Sequence, residues 1–143
     1  MKIALTGMAL LDANFRHNVD PLATPVTGPH PYTDVPMEIG LLKGEVPHTY
    51  AVKLRAVIES PAALYALSVT YAVLLTVDPE GAELPSDFDN QIMVTGASMA
   101  FPYCREVITN LTGRSRFGPI WVNPTSFKNL FATENPTPLV AQE

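Results

Sequence analysis

Cysteine is almost missing from this chain: Cys104 is the one thiol in 143 residues. It cannot close an internal disulfide, and with three dispersed histidines it cannot complete a structural zinc site, so the chain suits a reducing compartment. Cationic side chains are scarce as well. Nine Lys and Arg stand against fourteen Asp and Glu, for a net charge of −5. Nucleic-acid affinity at physiological salt rests on clustered cations that neutralise phosphates, and these nine are scattered, so no nucleic-acid partner is expected. No apolar run approaches the roughly 18 residues of a membrane span, which excludes helical membrane insertion. Asp12, Asn14 and Arg16 interrupt the start of the chain before a cleavable signal pattern completes, and a cytoplasmic location is the expectation. Glycine-rich phosphate loops and dinucleotide fingerprints are lacking, so no cofactor is expected. The nearest approach to a nucleophile elbow, Gly96-Ala97-Ser98-Met99-Ala100, has no final glycine and falls in a helical stretch.

What the chain has is apolar bulk. At 47% hydrophobic and 16% charged residues it belongs to the globular class, and this length can bury about 70% of the surface of its unfolded chain in a single domain. Residues 2–16 read as a long strand with Ile3, Leu5, Gly7, Ala9, Leu11, Ala13 and Phe15 on one face. Five prolines between Pro21 and Pro36 make an extended loop. A short strand around Met37, Ile39 and Leu41 ends at the turn Lys43-Gly44-Glu45. Tyr50, Val52, Leu54, Ala56 and Ile58 alternate with Lys53, Arg55 and Glu59 in the clearest strand, which pairs antiparallel with the run from 62 to 77. Ser86-Asp87-Phe88-Asp89 suggests a capping box that opens a helix. Ala100, Cys104, Val107 and Leu111 then recur at helical spacing, Pro102 should kink or restart the helix, and Gly113 is a plausible end with Arg114 and Arg116 suiting the negative end of its dipole. Asn123-Pro124 suggests a short final helix through Phe131. The expected fold is α+β: a four-stranded antiparallel sheet with helices on one face, over residues 1–132, followed by a loose tail at 133–143.

The candidates for chemistry are thin. His17, His30 and His48 lie in or beside loops at no ligand spacing. Asp87 and Asp89 are explained by a helix start without an ion. Cys104, on an apolar helical stripe, reads as a buried small hydrophobe. No acid, base or nucleophile constellation emerges, so an enzyme is not expected. The strand at 62–77 instead offers apolar residues on both faces: Tyr65, Leu67, Val69, Tyr71 and Val73 on one, Leu64, Ala66, Ala72 and Leu74 on the other. One helical layer covers one face only, and the second must meet a partner or solvent.

Phe101-Pro102-Tyr103-Cys104-Arg105-Glu106-Val107-Ile108-Thr109 resembles the Phe-Pro-Tyr-x-Arg-Glu-x-Ile signature of SecB, the protein-export chaperone. Phe117 and Asn123-Pro124-Thr125-Ser126-Phe127-Lys128-Asn129-Leu130-Phe131 resemble that family's ending. The resemblance implies a four-stranded antiparallel sheet backed by a long helix, assembled as a dimer or tetramer. It also implies a cytoplasmic, ATP-independent holdase that binds unfolded or precursor polypeptides in apolar grooves. By family location Tyr65, Leu67, Tyr71, Met93, Trp121, Phe127 and Phe131 are client-groove candidates. Phe101, Pro102, Tyr103, Arg105 and Glu106 are expected to hold the helix and the subunit interface. Export-dedicated members dock on the SecA motor through acidic sheet positions and a basic, metal-coordinating tail. Here those strand positions look apolar, and residues 132–143 hold no Lys, Arg, His or Cys. A chaperone dedicated to one client, such as an antitoxin, is therefore an alternative to the export reading.

Two rival readings stay open on the residues alone. One is a small-molecule protein with Tyr50, His48 or Asp89 lining a pocket between sheet and helix. The other is a structural subunit whose apolar face is permanently buried, which predicts no client binding once the assembly forms.

Overall fold

A computed structural model of the chain describes residues 1–26, 32–127 and 140–142. The elements are β1 (Lys2–His17), β2 (Tyr32–Thr33), β3 (Met37–Lys43), β4 (Thr49–Ile58), β5 (Tyr65–Asp78), α1 (Phe88–Gly113), β6 (Trp121–Val122) and β7 (Val140–Gln142). The main sheet has the order β1-β5-β4-β3-β7, with the first four strands antiparallel; β2 and β6 form a separate parallel pair.

β3, β4 and β5 follow one another through short turns, and α1 lies across one face of all three. Alternation makes this possible. Met37, Ile39 and Leu41 of β3, Val52, Leu54 and Ala56 of β4, and Leu67, Val69, Val73 and Leu75 of β5 all turn to the helix and are buried. From α1, Ile92, Met93, Ala97, Ala100, Phe101, Cys104 and Ile108 meet them. Full burial of each larger aliphatic contributes about 1.5–3 kcal/mol, so this layer dominates the stability of the fold. Gly96 sets the spacing: a Cβ there would lie 2.5 Å from Val52 Cβ and Cγ2. Only glycine lets helix and sheet approach this closely.

β1 departs from the expected single face. It pairs with β5 along its length but shifts register between Leu5 and Gly7 and between Leu10 and Asp12. Each shift inserts a residue and swaps which parity faces the helix. Ile3 and Leu5, then Met8 and Leu10, then Ala13 and Phe15 oppose the helix-facing positions of β5. Gly7, Ala9 and Leu11 therefore do not share a face with Leu5.

Three helix expectations change. Asp87, not Ser86, occupies the N-cap, with no side-chain cap hydrogen bond; its carboxylate accepts instead from Gln91 Nε2 at 2.9 Å. Pro102 lies inside an unbroken α1 and does not restart it. Residues 123–127 are irregular, and the rest of the short helix expected through Phe131 lies outside the described residues. Of 133–143, expected as a loose tail, the described part is β7, seated parallel on β3. His30 also falls outside the described residues.

Candidate functional site

The Phe101–Thr109 motif occupies the second half of α1 and divides by helical phase. Phe101, Cys104 and Ile108 point inward and are buried, with Cys104 Sγ 4.0 Å from the Val69 carbonyl. Burial pushes the Cys104 thiol up from 9.0 to about 11, so it is protonated and inert at neutral pH. Around the helix, the Phe101 ring meets Phe127 edge to face at 5.9 Å, and the Arg105 guanidinium lies 5.4 Å from the Phe101 ring centroid. On another side Tyr103, 43% exposed, stacks on Tyr71 of β5 at 5.7 Å. Pro102 and Glu106 are exposed.

Two threonines of α1 fix the segment that follows. Thr112, fully buried, donates to Ile108 O at 2.7 Å and accepts the Ile120 N–H at 2.7 Å; Thr109 donates to Ile120 O at 3.2 Å. Both backbone groups of Ile120 are thereby held on the helix, and Trp121 follows immediately. Asn123 adds a hydrogen bond to Asp34 Oδ1 at 2.7 Å beside the β2–β6 pair. Trp121 is thus held 44% exposed at a cleft of about 430 Å³ with Pro102, Arg105, Glu106, Thr109, Asn110 and Val122.

Two further clefts open near the start of β5. One, of about 350 Å³, has Pro36, Val57, Ile58, Leu64, Tyr65 and Ile120 in its walls; the other, of about 310 Å³, has Phe15, Arg16, Arg55, Ile58 and Leu67. Between them the Tyr65 ring sits among Phe15, His17 and Phe117 at 5.2, 5.6 and 6.2 Å, and its hydroxyl donates to Gly118 O at 2.8 Å. Burial raises the Tyr65 pKa, so the phenol stays neutral and a donor.

The seven groove candidates therefore do not form one surface. Tyr65, Leu67, Met93 and Phe127 are buried, although Tyr65 and Leu67 contribute to cleft walls. Tyr71 is half-buried under Tyr103, and Trp121 reaches solvent. Phe131 lies outside the described residues. Sequence reasoning passed over the exposed apolar residues of β1, Leu5 at 46% and Leu10 at 46%; Leu10 pairs with Tyr71 beside the Tyr103 stack. Only the first bulge brings Leu10 to that side, and bulges leave no hydropathy signature.

The polar candidates are committed to structure. Asp89 pairs with Lys43 at 3.0 Å, tying α1 to the end of β3 and raising the Lys43 pKa. His17 Nε2 lies 2.7 Å from Ser115 Oγ, and His48 is in the β3–β4 turn at φ 65°. Among the described residues no three His, Cys, Asp or Glu side chains cluster as metal ligands, and no helix is long and apolar enough to cross a membrane.

Comparison with known proteins follows the same lines. The family described as preprotein translocase subunit SecB matches residues 20–137. No protein of curated function matches the sequence. Among solved structures, the Mycobacterium tuberculosis Rv1957 SecB-like chaperone, in complex with a ChAD peptide from the Rv1956 HigA1 antitoxin, is similar at a TM-score of 0.67. Its sequence identity is 18%, over 86% of this chain and 90% of that one. A Streptococcus agalactiae protein of unknown function is similar at a TM-score of 0.49 and 11% identity, over 87% of this chain and 98% of that one. The four-stranded antiparallel sheet, the single long helix across it and the match over residues 20–137 agree: the chain belongs to the SecB family, a family of non-enzymatic chaperones.

Proposed function

We propose that the chain is an ATP-independent holdase that binds extended, unfolded polypeptides through apolar clefts at its surface. The observation that carries this reading is the placement of Trp121, 44% exposed above a cleft and held there by the Thr109 and Thr112 clamp on Ile120. An aromatic that a buried hydrogen-bond network holds in solvent is a preformed anchor for an apolar segment, since large rigid rings bring much contact area at little conformational cost. Tyr65 and Leu67 in the walls of the neighbouring clefts are the other client-facing candidates among the seven. The Phe101–Phe127 contact and the Arg105 stack hold the cleft's helical wall.

A dedicated client is the second reading. The similar Rv1957 chaperone is in complex with an antitoxin peptide, and residues 132–143 lack the cationic and metal-binding groups that docking on the SecA motor would use. The open sheet face carries Lys53 and Arg55 with a single acid, Glu38, from β3 and β4, which suits a SecA-independent role in the same compartment, the cytoplasm. A second copy of the chain is the expected partner of β1.

The test is aggregation. Purified protein at near-stoichiometric amounts, without nucleotide, is mixed with a chemically unfolded substrate, and light scattering is followed after dilution. Suppressed scattering with a stable complex on size exclusion is expected, weakened several-fold by Trp121→Ala. Unchanged scattering by a folded protein would sink the holdase reading. Suppression confined to an antitoxin among several unfolded substrates would select the dedicated form.

A further inference from the structure

We propose that β7 is a built-in occupant of the β3 edge, and that an extended client segment takes this edge by displacing it. The inference rests on the holdase reading and adds a site and its regulation. Gly44 N–H donates to Thr49 O at 2.8 Å and Val57 N–H to Pro36 O at 3.0 Å. In an antiparallel ladder, residues alternate between facing the neighbouring strand and facing away. The even-numbered Glu38, Gly40 and Leu42 therefore turn their backbone groups to β4, and the odd-numbered Ile39 and Leu41 turn theirs outward. Val140–Gln142 lies along that outer side in parallel register, Ile39 with Val140, Gly40 with Ala141 and Leu41 with Gln142. This register puts Ala141 between the two outward residues: its N–H donates to Ile39 O and its carbonyl accepts from Leu41 N–H.

The edge is well placed for strand addition. Ile39 and Leu41 are anchored in the core by their side chains, at 0% and 5% exposure, so the strand stays rigid whether or not its edge is filled. Backbone pairing reads little sequence, which is what a binder of varied unfolded segments needs. Left open, such an edge invites uncontrolled pairing, and proteins routinely cover edges of this kind. A three-residue strand is a weak cover, yet its covalent connection through residues 128–139 keeps it at high effective concentration. A longer client strand can outcompete it. The cover then weakens apparent affinity by a factor equal to the inverse of the fraction of molecules with the edge open.

The test compares the full chain with two single variants. Ala141→Pro deletes the N–H that bonds Ile39 O. Gln142→Pro is the control, because its N–H points away from β3, where proline is tolerated. The probe is fluorescein-labelled, reduced and carboxymethylated α-lactalbumin, which stays unfolded in buffer; its affinity is read by anisotropy, and Leu41 amide protection by hydrogen exchange. Ala141→Pro is expected to deprotect the Leu41 amide and tighten probe binding about two- to tenfold, with Gln142→Pro unchanged. Unchanged affinity for Ala141→Pro, in a protein that binds the probe, would overturn the displacement. Full Leu41 exchange in the unaltered chain would overturn the cover itself. Absence of probe binding by all three proteins would overturn the holdase reading and the competition together, while Leu41 protection would still report the strand.

Discussion

At Gly96 two effects of opposite sign meet. Replacing glycine by alanine inside a helix ordinarily stabilises by about 1 kcal/mol. Here the added methyl would lie 2.5 Å from Val52 Cβ and Cγ2 and 2.8 Å from Cγ1, on a short, branched side chain of a central strand that cannot swing aside. Overpacking of this kind costs about 1–3 kcal/mol, so Gly96→Ala should destabilise by about 1 kcal/mol net in urea unfolding, and the added change Val52→Ala should relieve part of that clash. Thr112 tests the clamp below Trp121. Thr112→Val leaves the Ile120 N–H without its acceptor, a loss of about 1–3 kcal/mol, whereas Thr112→Ser should keep most of the stability and the client affinity. Cys104 gives a pH dependence. Its thiol loses its proton near 9.0 when exposed and near 11 when folded, so between those values the folded state holds more protons than the unfolded one. Stability should therefore fall as pH rises from 9 to 11, by about 2–3 kcal/mol from this group. Denaturation midpoints across that range should show the decline, and Cys104→Ala should reduce it.

At the scale of elements, α1 is both the cover of the sheet and the frame of the site. Its inward residues close the core, and its Thr109 and Thr112 carry the chain into β6. Past its end, Arg116 donates to Pro21 O and Thr24 O, both at 2.9 Å, so the helix terminus also holds the loop leaving β1. Arg116→Ala should raise the rate of limited proteolysis within residues 20–26 several-fold while leaving the denaturation midpoint nearly unchanged, because two exposed hydrogen bonds contribute locally more than globally. An equal loss of global stability would place the loop in the main cooperative unit. Arg116 was expected as a partner for the helix dipole. The proline-rich loop gives its role, since that loop presents carbonyl groups that no strand satisfies.

For the whole molecule, the sheet ends in two unlike edges. β3 carries β7, whereas β1 presents a long outer edge with no partner strand among the described residues, next to exposed Leu5 and Leu10 and the stacked Tyr71 and Tyr103. Apolar surface continuous with an open edge is suited to self-association. Light scattering on a sizing column should give at least twice the mass of one chain, and Leu10→Arg should reduce it without unfolding the protein; a monomeric unaltered chain would remove this expectation. Alternation alone dictated β3, β4 and β5 as strands, and the tight connection after β4 dictated its antiparallel pairing with β5, because a period of two and a short connection are local signals. The spacing of Ala100, Cys104, Val107 and Leu111 likewise pointed to a helix with one apolar face. The two bulges of β1, the clamp on Ile120, the exposure of Trp121, the burial of Tyr65 and the seating of β7 on β3 were decided only in three dimensions. Each depends on which distant backbone group lies opposite, and register between segments far apart in the chain leaves no mark in composition or periodicity.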